Sequence, residues 1–97
     1  MNEADKAVVD IFEKTIVVND ENIQTLTNMN LTLEELIQSP MVSSEQKAIY
    51  QKNIDTNKAE IKNMREINLF YLGSVLSMTG VSPYSEEGFK LMKKYMD

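Results

Sequence analysis

The chain has 97 residues, 42% apolar and 26% charged, with a net charge of −5, which suits a single helical domain over 1–97 rather than a disordered segment. It contains no cysteine and no histidine; this excludes disulfides, thiolate chemistry and cysteine–metal sites, and removes the usual general base near neutral pH. Three glycines and two prolines are too few for the frequent tight turns of an all-β domain, so helix is the default.

The opening, Met1-Asn2-Glu3-Ala4-Asp5, is acidic and lacks the basic leader and apolar run of a secretion signal, so a cytoplasmic setting is expected. Asn2 as cap, with Asp5 three residues on, starts a first helix over 3–18. Ala4, Ala7, Val8, Ile11, Phe12 and Thr15 recur at helical spacing and predict its buried stripe. Asn19-Asp20-Glu21-Asn22 reads as a turn, because Asn and Asp tolerate unusual backbone angles. A second helix then runs over 20–38, with Ile23, Leu26, Met29 or Asn30, Leu33, Leu36 and Ile37 inward. The β-branched flanks of the turn leave a hairpin over 15–27 as the competing reading. Thr32 and Glu35 form a fresh capping box, so a break near Asn30 is also compatible with the pattern.

Ser39-Pro40 stops the second helix. Ser43, with Gln46 as capping-box partner, opens the third and longest over 44–79, about 35 residues or near 50 Å at 1.5 Å per residue. Gly80 suits the left-handed position after a helix end, with Val81 supplying the apolar contact. Ser85 caps a last helix over 85–96, Glu86 and Glu87 fill its positive first turn, and Tyr84 is placed to staple onto Phe89. Phe89, Met92, Tyr95 and Met96 form its stripe. The expected fold is all-α: a four-helix arrangement with the long third helix as spine, packed as a helical hairpin or coiled coil. The longest apolar-rich stretch, Leu69 to Val81, falls short of the ~20 residues of a membrane span.

One line along the third helix carries most of the functional expectation. Tyr50, Ile54, Asn57, Ile61, Met64, Asn68, Tyr71, Val75 and Met78 alternate at steps of four and three, the spacing of a coiled-coil seam. Asn57 and Asn68 interrupt it, and buried asparagines are one means of fixing register or oligomeric state. Either the chain's own helices cover this seam, or the shorter first and second helices leave it open to another chain. The second alternative makes Tyr50, Ile54, Asn57, Ile61, Met64, Asn68 and Tyr71 an interaction seam and predicts self-association, in the first instance a dimer.

Chemistry is poorly represented. The adjacent acids Asp20-Glu21, Glu34-Glu35 and Glu86-Glu87 diverge by about 100° on a helix and lie at expected helix starts, where the dipole favours negative charge. There is no glycine-rich phosphate loop and no serine nucleophile elbow, so no enzyme, metal or cofactor is expected. Residues 1–45 carry nine acids and two bases, a net of −7, whereas 46–97 carry six acids and eight bases, a net of +2. Two halves attracting each other, or an acidic face aimed at a basic partner, both produce this layout.

The expected function is a small non-enzymatic protein–protein interaction factor of adaptor, inhibitor or immunity type, acting by helical surface contacts. The abundance of Asn, Ile, Lys and Met hints at a bacterial or phage source. Two other readings fit parts of the pattern. Residues 32–54 read as a helix-turn-helix with Ser44, Gln46, Lys47, Gln51, Lys52 and Asn53 as contacting types, although an acidic chain starts at a disadvantage on nucleic acid. An oligomer sequestering a small ligand between helices would use Tyr50, Tyr71 and the seam asparagines as polar handles.

Overall fold

A computed structural model describes residues 1–96. Every regular element in them is helical: α1 (Glu3–Gln38), α2 (Ser44–Met78), α3 (Glu86–Met92) and a 3-10 turn at Lys93–Tyr95. The chain is therefore all-α, but it is not the four-helix arrangement expected. The helices expected over 3–18 and 20–38 are one helix of 36 residues, matched by an α2 of 35 residues. Two long helices that differ by one residue in length replace the single spine.

The turn at 19–22 and the hairpin over 15–27 are both absent, for an identifiable reason. No non-glycine residue among those described has a positive φ, so neither asparagine nor aspartate there bends the chain. Asn19 and Asp20 instead turn inward, half-buried, and spend their side chains on α2 and the C-terminal segment. The threonines that weaken helix propensity satisfy their hydroxyls by bonding back one turn: Thr15 to Ile11 O at 2.8 Å, Thr25 to Glu21 O at 3.1 Å and Thr27 to Ile23 O at 2.7 Å. Thr32 does the same to Asn28 O, so it does not cap a new helix and no break occurs near Asn30.

The local stop and start signals act as expected. Asn2 Oδ1 accepts from Asp5 N at 2.8 Å and Ser43 Oγ from Gln46 N at 3.2 Å. α2 ends at Met78, with Val81 N donating to Leu76 O at 2.8 Å and Gly80 N to Ser77 O at 3.3 Å. This is a Schellman motif, and Gly80 takes its left-handed position at φ 87°. Ser85 caps α3 by accepting from Gly88 N. α3 is shorter than the 85–96 expected, because the chain tightens to 3-10 geometry after Met92. The Tyr84–Phe89 staple does not form. Gly88 is the residue that packs onto the Ser82–Pro83 backbone, which leaves Tyr84 and Phe89 facing solvent.

Contacts within the chain fall into two compact units: Met1–Asp20 with Met64–Asp97, and Glu21–Asn63. In the first, Val9, Val75, Leu76 and Tyr95 are buried, and Phe12 stacks on Tyr71 with ring centroids 4.6 Å apart. The buried face of α1 here is rotated from the one expected. Val8, Val9, Phe12, Thr15 and Ile16 turn inward, while Ala4, Ala7 and Ile11 are exposed. The second unit is a helical hairpin closed at residues 39–43. Ile54 and Asn30 are its buried centre, and Ile23, Leu26, Leu33, Ile37, Tyr50 and Ile61 are half-buried around them. Of the two alternatives Met29 or Asn30, it is Asn30 that turns inward and Met29 that is exposed; Leu36, expected inward, is exposed as well. No described helix is long and apolar enough to cross a membrane.

Candidate interaction surfaces

All seven seam residues lie on the inner face of α2. In the second unit Ile54 is 1% exposed, and Tyr50, Asn57 and Ile61 are half-buried; in the first, Asn68 is 0% exposed, and Met64 and Tyr71 are half-buried. What faces them is α1 of the same chain. Asn57 Nδ2 donates to Asn30 Oδ1 at 2.9 Å. Asn19 Nδ2 donates to Asn68 Oδ1 at 2.9 Å, and Asn68 Nδ2 donates to Asp20 Oδ1 at 3.1 Å. The two seam asparagines are thus paired rather than exposed. Sequence reasoning missed their partners, Asn19 and Asn30. A signal was present: Asn19 and Asn30 stand eleven apart, as do Asn57 and Asn68, and eleven residues are close to three helical turns.

In the first unit this polar layer extends to the C-terminal segment. The Tyr95 hydroxyl donates to Asp20 at 2.9 and 3.0 Å, Lys94 Nζ reaches the same carboxylate at 3.2 Å, and Arg65 Nη2 donates to the Lys94 carbonyl at 2.9 Å. Burial, reinforced by the hydrogen bond to Asp20, pushes the Tyr95 phenol above its ordinary pKa. The hydrogen bond to Asp20 likewise raises Lys94. Arg65 Nε is buried without an acceptor. This cluster docks a segment, and apart from Arg65 Nε these donors and acceptors are spent on one another.

The charge asymmetry is scarcely neutralised inside the chain. Among the described residues there are three ion pairs: Lys6–Glu3, Lys14–Asp10 and Lys94–Asp20. Only the last joins the acid-rich part of the sequence to the base-rich part. Nor do the described residues gather three or more His, Cys, Asp or Glu side chains in a metal-binding group.

The outward surface of the first unit is different in kind. From Ile67 to Ser85 the sequence carries no charged residue. Phe70 is 69% exposed and Tyr84 98% exposed. They flank a groove of about 790 Å³ whose lining includes Leu69, Gly73, Ser77 and Met92, with Glu66 as its one ionisable carboxylate. Beside it the C-terminal segment buries Gly88 and Tyr95 but leaves Phe89, Leu91 and Met96 about half exposed. The sequence reading placed Phe89 and Met96 on the docked stripe. Their exposure follows from the polar anchoring, which seats the segment through Tyr95 and Met92 instead.

A smaller groove of about 500 Å³ lies in the second unit between Met29, Thr32 and Leu33 of α1 and Asn53, Thr56 and Asn57 of α2. Residues 32–54, read above as a helix-turn-helix, are the end of α1, the closing turn and the start of α2. There Gln51 donates to Asp55 of its own helix, and Lys47 is half-buried. Tyr71, a handle in the ligand-sequestering reading, is stacked on Phe12.

Comparisons with protein-family models, with curated proteins and with solved structures found no match.

Proposed function

We propose that this chain is a non-enzymatic protein–protein interaction factor, of adaptor, inhibitor or immunity type, that holds another polypeptide through helical surface contacts. The observation that carries this reading is the mainly apolar groove of the first unit, with Glu66 its one carboxylate and Phe70 and Tyr84 standing exposed at its sides. Large aromatic side chains bury roughly 150–250 Å² each and are the residue types that dominate binding energy at protein interfaces. Leaving two of them in water next to Leu69, Met78 and Met92 forgoes apolar burial within the chain, which favours a surface kept for a partner. The first unit's part of the α2 seam supports the reading indirectly: Asn68 and Tyr71 are paired with Asn19 and Phe12 of α1, and Phe70 stays outward.

A photo-crosslinking amino acid at position 84 tests this, with position 58 in the second unit as control. The expected result is a discrete adduct with one polypeptide in the native host, formed from position 84, absent from position 58 and lost on Phe70→Ser. Equal labelling from both positions, or none from either, overturns the reading.

A further inference from the structure

We infer that the polypeptide held in the groove of the first unit is a second copy of this chain, whose C-terminal segment docks there reciprocally. The inference rests on the interaction reading above and supplies its partner. Three observations lead to it.

The first is area. Phe70 and Tyr84 alone offer roughly 300–500 Å², short of the roughly 800 Å² per partner of a stable interface. Phe89, Leu91 and Met96, each about half exposed in the same unit, bring the exposed apolar surface near that requirement. One copy thus carries both a groove and a set of apolar side chains to fill one.

The second is charge. The groove has Glu66 in its lining, and the sequence that supplies most of the rest, from Ile67 to Ser85, carries no charge. In the C-terminal segment the exposed Phe89 stands four residues before Lys93, the spacing that puts both on one side of a helix, with Lys90 between them in sequence. Neither lysine has an ion-pair partner within 4 Å among the described residues. An exposed aromatic with unpaired cations near it is the complement of an apolar groove that holds one carboxylate.

The third is symmetry. Tyr84 and Met92, which line the groove, flank and belong to α3 itself, so donor and acceptor surfaces adjoin. A two-fold axis is the arrangement that satisfies both surfaces of both copies at once, each giving its segment and receiving the other's.

Sedimentation velocity on the full chain from roughly 10 to 500 µM, the range in which a modest interface of this size associates, tests the proposal. The expected result is a concentration-dependent dimer that Phe70→Ser and Phe89→Ser each weaken tenfold or more, with circular dichroism melts unchanged because both side chains are exposed. Glu66→Lys and Lys93→Glu each weaken the dimer, and mixing the two variants restores both contacts in a heterodimer, one native and one with its charges exchanged. A chain that stays monomeric throughout overturns the proposal, as does a dimer indifferent to both phenylalanine substitutions. If the monomer still forms the position-84 adduct with a different polypeptide, self-association fails alone and the interaction reading stands. If neither forms, both fail.

Discussion

Tyr95 donates its phenolic hydroxyl to both carboxylate oxygens of Asp20, at 3.0 and 2.9 Å, across 75 positions of sequence. Asp20 receives Asn68 and Lys94 as well, so this one side chain in the middle of α1 ties α2 and the C-terminal segment together. A seven-residue α3 has no independent stability, and its order depends on that tie. Tyr95→Phe keeps the ring and removes the donor, and a cost of about 1–2 kcal/mol is expected, since the lost bond is to a charged acceptor. In hydrogen exchange, the amides of 86–95 should lose protection while those around Ile54 keep theirs. Equal protection in both proteins would mean that packing alone holds the segment.

The same contact sets an alkaline limit on stability. Tyr95 titrates above its ordinary value near 10 in the folded chain. Between that value and the raised one, the unfolded chain has lost a proton that the folded chain keeps. Stability is therefore full below about pH 10 and falls as pH rises beyond it. Lys94 is also raised, so its contribution is lost in the same direction, although its exposure leaves it screened by salt. Urea midpoints measured from neutral pH to beyond pH 11 should decline, and Tyr95→Phe should flatten part of that decline.

The asparagine layers predict a pattern of non-additivity. Asn57→Leu or Asn30→Leu alone strands one amide in a largely buried site, at about 1–3 kcal/mol. The double substitution removes both polar groups and should recover most of that loss. Asn68→Leu is the harsher change, because it deprives Asn19 and Asp20 of a partner that is 0% exposed; about 3 kcal/mol is expected. A double-mutant cycle on Asn30 and Asn57 by chemical denaturation measures the coupling, and a coupling near zero would deny the pair any role in register.

Two glycines fail differently when given a side chain. Gly80 holds φ 87° with open space around its missing Cβ, so Gly80→Ala costs only the left-handed conformation, about 1 kcal/mol, and Gly80→Asn less. At Gly88 a Cβ would lie closer to the Ser82 carbonyl oxygen than any contact allows. The obstacle is backbone, so Gly88→Ala should displace α3 from the Ser82–Pro83 loop. Thermal melts rank the variants: Gly88→Ala should be the more damaging, and its loss should appear in the 86–95 amides first.

What the sequence determined by itself is what depends on neighbours a few residues away. Ser43, Gly80 and Ser85 mark their boundaries because a cap or a Schellman motif is completed within one turn of helix, and α2 was legible to within a residue of its observed end. The alternation from Tyr50 to Met78 identified the inner face of α2 for the same reason. The continuity of α1 was not legible. Asn19 and Asp20 have the chemistry of a turn, and only partners 49 and 75 positions away turn them into interior links. The buried side of α1 was misjudged likewise, since Ala4, Ala7 and Ile11 match helical periodicity as well as Val9 and Ile16 do, and the fit against α2 selects between them. The exposed groove was also beyond sequence, because Phe70, Tyr84 and Phe89 resemble core residues, and the packing of Gly88 on Ser82–Pro83 with the anchoring at Asp20 sets how the C-terminal segment, and with it Phe89, faces. Tertiary structure decided these points because each rests on a long-range contact, whose formation no local propensity encodes.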